Sequence, residues 1–284
     1  MQTIRSIKKM QAVARQFAAE GKTIGLVPTM GFLHEGHLSL IDRAKKAADV
    51  VITTIFVNPT QFTPHEDLTK YPRDEKGDIR KIKSAGCDIV FIPKAIDIYP
   101  DDFQTYVSVE KLSQTLEGAA RPTHFRGVTT IVAKLFNITR PDVAVFGMKD
   151  FQQAIVLKQM THDLGYPLKL IIAPTVREKD GLAMSSRNKY FTPDQRPEAR
   201  ALYYALRTAK EMVASGIDSA RKIEKEMRAV IAATCPSAEI DYIAFTDDVG
   251  LKKVGRVAKS TVCSLAVRMH RVRLIDNMKL TGRG

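Results

Sequence analysis

A chain of 284 residues with 44% hydrophobic content can bury at least one sizeable core, which excludes a disordered or fibrous protein and allows one large domain or two ordinary ones. Its 44 Lys and Arg against 31 Asp and Glu leave a formal charge of +13, which favours anionic partners such as nucleotides, small carboxylates, nucleic acid or an acidic membrane face. Cys87, Cys235 and Cys263 have no CxxC spacing, which argues against a disulfide framework or a four-cysteine zinc site and fits a reducing compartment.

The N-terminal "MQTIRSIKKMQAVARQFAAEG" carries apolar residues at helical spacing rather than the unbroken apolar block of a signal peptide. No stretch approaches the ~20 apolar residues of a bilayer span, so a cytoplasmic protein without a membrane partner is expected. Five short apolar runs follow, each bounded by Pro, Gly, Asn or Asp: "TIGLVP" (23–28), "VVITTIFV" (50–57), "CDIVFIP" (87–93), "PDVAVFG" (141–147) and "KLIIAP" (169–174). They read as buried parallel strands. Helical spacing fills 37–48, 74–85, 128–137 and 151–164. This alternation predicts an α/β fold, a doubly wound Rossmann-like parallel sheet with helices on both faces and ligands beyond the carboxyl ends of the strands. After residue 174 the chain turns polar and turn-rich, then gives two helical stretches (about 194–214 and 218–233) and three strand-like runs, "EIDYIAFT", "STVCSLAV" and "RVRLID". A smaller C-terminal α+β domain is expected, with domains at 1–175 and 176–284.

The stretch "TMGFLHEGHLSLIDRA" (29–44) follows the first predicted strand and therefore falls on the ligand rim. His34 and His37, three apart at a helix start, place both rings on one side beside backbone amides that lack helical partners and carry the positive end of the helix dipole. Such a place attracts phosphate. Gly31 and Gly36 keep side chains off the backbone where a ligand must approach. A zinc site here would need a third ligand, which Glu35 does not offer from its side of the helix. The basic stretches "RKIKSAG" and "RMHRVR" are short and not interleaved with aromatics, which disfavours a nucleic-acid groove.

"PTMGFLHEGHLSL" resembles the HxGH element of the nucleotidylyltransferase superfamily and, in its longer form, the pantothenate synthetase family. Four further stretches match that family in order: "FVNPTQF" (56–62), "RPTHFRGV" (121–128), "VFGMKDFQQ" (145–153) and "TVREKDGLAMSSRN" (175–188). The resemblance implies a ligase that condenses pantoate with β-alanine at the expense of ATP, through pantoyl adenylate, releasing AMP and diphosphate. It implies Mg2+ brought with ATP, and a homodimer formed through the N-terminal domain.

By the same likeness, ATP is cradled by Met30, Gly31, Phe32, Leu33, His34, Glu35, Gly36 and His37. Gly147, Met148, Lys149, Asp150, Val176, Met184, Ser185, Ser186 and Arg187 complete the nucleotide set. His37, His34 and Lys149 carry the catalytic assignment, with Lys149 against the phosphates and Asp150 on the ribose. "MSSRN" stands where related synthetases carry a phosphate-contacting loop. Gln61 and Gln153 are assigned to pantoate, Gln61 also to β-alanine. A buried amide can bond hydroxyl and carboxylate oxygens without opposing a second full charge. Two departures stand out: Met148 replaces a usually acidic or amide residue, and "RMHRVR" replaces a small, Gly-containing turn. The competing readings are another HxGH nucleotidylyltransferase and a nucleic-acid-binding module on a nucleotide fold.

Overall fold

A computed structural model describes residues 1–63 and 68–281. The chain divides into two compact units, one of Met1–Gly147 with Val156–Ala173 and one of Met148–Ile155 with Pro174–Gly284.

The first unit is built on six parallel strands: β1 (Gln2–Ile4), β2 (Ile24–Thr29), β3 (Val50–Ile55), β4 (Ile89–Phe91), β5 (Val143–Gly147) and β6 (Lys169–Ala173), in the order β1-β4-β3-β2-β5-β6. Its helices are α1 (Ile7–Ala19), α2 (Glu35–Lys45), α3 (Glu75–Ser84), the single turns α4 (Ala95–Ile98) and α5 (Glu117–Ala120), α6 (His124–Thr139) and most of α7 (Phe151–Asp163). The strands are apolar on both faces because both faces are covered. Val27, Val51, Val90 and Val145 pack against Leu40, Ile41 and Ala44 of α2 and Ile82 of α3. Their sequence neighbours Leu26, Ile52, Phe91 and Ala144 point the other way, onto Met10, Ala14, Phe136, Leu157 and Met160 of α1, α6 and α7. Each fully buried Val, Leu, Ile, Phe or Met among them contributes about 1.5–3 kcal/mol relative to exposure.

The connection directions explain this division. From β2 the chain steps through β3 to β4, and α2 and α3 lie on one face; β5 and β6 extend the sheet on the opposite side of β2, and α6 and α7 lie on the other face. Right-handed crossovers require that exchange of faces, and the gap it opens between β2 and β5 is the ligand-binding switch point of such sheets. At the opposite edge, aspartates ahead of three strands pin the neighbouring chain. The carboxylates of Asp49, Asp88 and Asp142 accept the backbone N–H groups of Thr23 (2.9 Å), Val51 (2.9 Å) and Ile24 (2.7 Å).

The five strands expected from composition form at their places. β1 lies outside that expectation: three residues are too few to show alternation, and pairing Thr3 opposite Val90 of β4, with Ile4 buried, makes the strand. Helix α2 begins at Glu35, two residues before the apolar spacing becomes regular, because His34 takes the extended N-cap conformation.

The second unit carries an antiparallel sheet of β7 (Glu239–Asp247), β8 (Thr261–Met269) and β9 (Val272–Lys279), with α8 (Ala201–Ala214) and α9 (Ala220–Thr234). Leu202, Leu206, Ile223, Met227 and Ile231 of the helices close on Phe245, Cys263, Leu265, Val267 and Leu274 of the strands. Arg177 binds Asp276 of β9 through two nitrogens, at 2.6 and 3.0 Å. Only 2% of the Asp276 side chain is exposed, so removing the guanidinium leaves a buried carboxylate without its counter-charge. Arg177→Met is expected to destabilise the unit by about 3–5 kcal/mol, read from the urea midpoint, with Arg177→Lys falling between it and the parent because the two-pronged geometry is lost.

Candidate active site

The HxGH segment leaves the carboxyl end of β2 at the switch point. Gly31 sits at φ +81° and Phe32 at φ +50°, a left-handed pair that turns the chain from strand to helix. A Cβ on Gly31 would lie 3.0 Å from a carboxylate oxygen of Asp78 and 3.1 Å from Ile55, so glycine is required there by the turn and by its protein neighbours. The Asp78 side chain, from α3, accepts the backbone N–H groups of Phe32 and Leu33, both at 2.7 Å. Asp78 itself is 1% exposed. One turn further along α3, Lys81 donates to the Leu33 carbonyl at 2.7 Å. An acid and a base from one helix thus grip both sides of the peptide backbone that leads into His34.

His34 caps α2, and His37 stands in its first turn, with ring centroids 4.1 Å apart and planes inclined by 43°. The His34 backbone N–H donates to Nδ1 of His37 at 3.3 Å. In the neutral ring the proton then resides on Nε2, which makes the outer nitrogen of His37 a donor. Glu35 is exposed and Gly36 half-buried.

Gln61 ends a short 3₁₀ turn, Pro59–Gln61, and is 8% exposed. Asn58 Nδ2 donates to its Oε1 (3.1 Å) and to the Gly127 carbonyl (3.0 Å), so the Gln61 amide presents its NH2 pole, whose nitrogen is 2.8 Å from Met30 Sδ. Asn58 is itself oriented by Tyr99 and Thr60, whose hydroxyls donate to its Oδ1 at 2.9 and 3.0 Å. Burial pushes the Tyr99 phenol up to about 12 against the Thr60 hydrogen bond, which keeps it a neutral donor. The Gln61 carbonyl accepts from Nδ1 of His124 (2.9 Å) and from Arg121 (3.3 Å). Gly127 lets α6 approach this turn, since a Cβ there would collide with the Thr60 carbonyl. The "RPTHFRGV" stretch therefore builds the seat of Gln61. The first unit brings Met30 through His37 and Gln61 together. Gly147 ends β5, where a Cβ would meet no protein atom within 4 Å.

In the second unit, Met148, Lys149 and Asp150 form a 3₁₀ turn leading into α7, and Gln153 follows half-buried. The Lys149 ammonium is 3.3 Å from the Asp150 carboxylate, with 22% of its side chain exposed. Asn277 of β9 donates to the Met148 and Lys149 carbonyls, both at 2.9 Å. Its own carbonyl accepts from Arg177 at 3.2 Å, so β9 couples the lysine turn to the segment 176–187. In that segment Met184 N–H donates to the Val176 carbonyl (3.0 Å), and Ser185 Oγ accepts the Arg187 N–H (3.3 Å), capping the turn Ser186–Tyr190. Gly181 sits at φ +93°, and a Cβ there would run into the Tyr203 ring. Asn188 and Arg196 brace the loop through Glu178, at 2.8 and 2.6 Å. Arg196 also holds Asp180 at 3.0 Å; burial raises that carboxyl, and the guanidinium with the Leu182 N–H lowers it by more, leaving Asp180 below the usual carboxylate range.

Sequence patterns do not single out Asp78, Lys81, Asn58, Tyr99, Arg177 or Asn277. Asp78 nevertheless carries a signal: it lies four residues before Ile82 on the buried face of an amphipathic helix, where an acid is out of place unless it is bonded. Asp78→Asn substitutes an NH2 for one acceptor oxygen opposite two N–H groups. A loss of about 1–3 kcal/mol is expected, together with altered imidazole nitrogen resonances of His37, measured by urea unfolding and NMR.

The model of the family described as pantoate-beta-alanine ligase matches residues 2–279. The pantothenate synthetase of Moorella thermoacetica is 50% identical over 280 residues, covering 99% of this chain and 98% of that protein. Among solved structures, pantothenate synthetase from Thermus thermophilus has a TM-score of 0.94 at 38% identity, covering 99% of this chain and 100% of that one. The Francisella tularensis pantoate-beta-alanine ligase, solved in complex with beta-gamma ATP and beta-alanine, has a TM-score of 0.82 at 35% identity, with 99% of each chain covered. A match of this extent, carried by a chain whose HxGH helix starts at the switch point of a doubly wound sheet, places the protein in the pantoate-beta-alanine ligase family.

Proposed function

We propose that the protein condenses pantoate with β-alanine, using ATP, and releases pantothenate, AMP and diphosphate. The observation that carries this reading is the His34–His37 pair at the start of α2, with its backbone gripped by Asp78 and Lys81, in a chain of this family. In the first step a pantoate carboxylate oxygen bonds to the α-phosphorus of ATP as the bond to diphosphate breaks. In the second, the β-alanine amine bonds to the activated carbonyl, and AMP leaves.

The first-turn amides of α2 and Nε2–H of His37 supply donors to phosphate oxygens, and their pull rises as charge moves onto the departing diphosphate. His34 lines the same phosphates. Lys149 adds a compact positive charge, Asp150 takes the ribose, and Val176 with Met184, Ser185, Ser186 and Arg187 receives the rest of the nucleotide. The open space in front of Gly147 suits close passage of a ligand over the backbone. Gln61 and Gln153 take pantoate. The NH2 pole of Gln61, fixed by Asn58 on its Oε1 and bonded to Met30 Sδ through one N–H, has a second N–H to offer an oxygen-rich acid.

Mg2+ prefers hard oxygen ligands in octahedral array, and among the described residues the one trio of candidate ligands contains a thiol and an imidazole. The ion is therefore assigned to the nucleotide's own phosphates, where it offsets triphosphate charge. Among the described residues no helix is long and apolar enough to cross a membrane; a cytoplasmic location and a homodimer formed through the first unit complete the proposal, the latter open to sedimentation analysis.

Diphosphate release from ATP that requires pantoate, and pantothenate formation that requires β-alanine as well, test the whole reading; no release by folded protein overturns it. Lys149→Ala is expected to slow adenylate formation by about 10²-fold or more, and unchanged single-turnover kinetics would remove it from the mechanism. Gln153→Ala should raise the KM for pantoate well beyond that for ATP, and equal changes in the two would contradict the assignment.

A further inference from the structure

Within "RMHRVR", Met269 and Val272 form the last pair of the β8–β9 ladder, so His270 and Arg271 are the two central residues of a tight hairpin turn. Their φ values are +47° and +69°, the left-handed pair of a tight hairpin turn, which Asn and Gly fill most readily. The turn projects the His270 ring onto Glu198, with Nε2 2.8 Å from Oε2. Glu198 belongs to the 3₁₀ segment Arg196–Arg200. The same carboxylate accepts the thiol of Cys235, the fully buried C-cap residue of α9. Three donor atoms of three chemical types, from three separate segments of the second unit, lie within 4.8 Å of one another.

We propose that Glu198, Cys235 and His270 bind a zinc-class divalent transition metal ion. Thiolate, imidazole and carboxylate are the ligand types such ions prefer, three protein ligands leave the fourth tetrahedral position to water, and a soft thiolate discriminates against Mg2+ and Ca2+. Bond lengths of a tetrahedral zinc site put its ligand atoms about 3.3–3.5 Å apart. The His270–Glu198 pair, at 2.8 Å, has only to open slightly, and no pair of ligand atoms has to close by more than about 1.3 Å. On binding, the Cys235 thiol gives its proton to solvent and its sulfur lone pair to the metal, His270 donates from neutral Nε2, and one Glu198 oxygen binds. Thiolate and carboxylate then neutralise the dication. Cys235 is the C-cap of the 15-residue α9, whose last turn has no basic residue, so the negative end of the helix dipole favours a cation there. Occupancy would tie the hairpin, the end of α9 and the 196–200 segment together.

The test uses the full chain, stripped with a chelator and titrated with Co2+. Expected are one equivalent bound, a thiolate-to-cobalt charge-transfer band in the near ultraviolet, the strong visible bands of tetrahedral cobalt, and displacement by Zn2+ but not by Mg2+. Cys235→Ser should abolish the charge-transfer band. His270→Asn, at a partly exposed turn, should weaken binding about tenfold or more and serves if Cys235→Ser fails to fold. Zn2+ should raise the Tm of the parent and not that of the variants. Absence of the charge-transfer band, its persistence in folded Cys235→Ser, or equal affinity in His270→Asn would overturn the proposal.

Discussion

The first unit's chemistry rests on the buried carboxylate of Asp78. Two backbone N–H groups converge on it, and satisfying them holds a left-handed Gly31–Phe32 turn that no local preference would keep in place. Without that turn, the chain leaving β2 would not deliver His34 to the start of α2. The arrangement puts an acid close to a segment assigned to an anionic nucleotide. Lys81, on the same helix and bonded to the Leu33 carbonyl, supplies the compensating charge. From there the order propagates locally: the His34 amide selects the His37 tautomer, and the tautomer determines which ring nitrogen can donate.

A second chain of dependence runs through neutral groups. Tyr99 and Thr60 orient Asn58, Asn58 orients the Gln61 amide, and His124 with Arg121 holds the Gln61 carbonyl. Each net bond contributes only about 0.5–1.5 kcal/mol. Their joint effect is directional, because a reversed Gln61 amide would set oxygen against the proposed anionic substrate. The second unit follows the same pattern, with Asn277 holding the carbonyls of Met148 and Lys149 while the lysine's ammonium lies 3.3 Å from the Asp150 carboxylate.

The fold is legible where burial on both faces leaves a continuous apolar run. "VVITTI" and "VAVFG" can hardly be anything but interior strands, and regular alternation with helical spacing demands parallel crossovers. The three-residue β1 is not legible, since a strand that short exists only through its partner. Of the site, the residues of the motifs themselves can be read: histidines at a helix start and a glycine-flanked turn have a local physical meaning. Their supports cannot. Asp78 lies 46 residues from the amide it binds, and Asn277 lies 128 residues from the carbonyl of Lys149. The glycines of the loops also change meaning, for Gly31 and Gly181 answer to Asp78 and Tyr203, which the turn alone does not reveal.

The class of sheet, the helices that cover it, the family and the start of the HxGH helix just after the first long strand are all written in the residue order, because periodicity and capping act over a few residues. The amide pole that Gln61 presents, the nitrogen of His37 that carries the proton, and the distant carboxylate that holds the strand-to-helix turn are settled only in the folded chain. Those outcomes depend on hydrogen bonds whose partners, several of them far apart in the chain, become neighbours only when the sheet and its helices have closed.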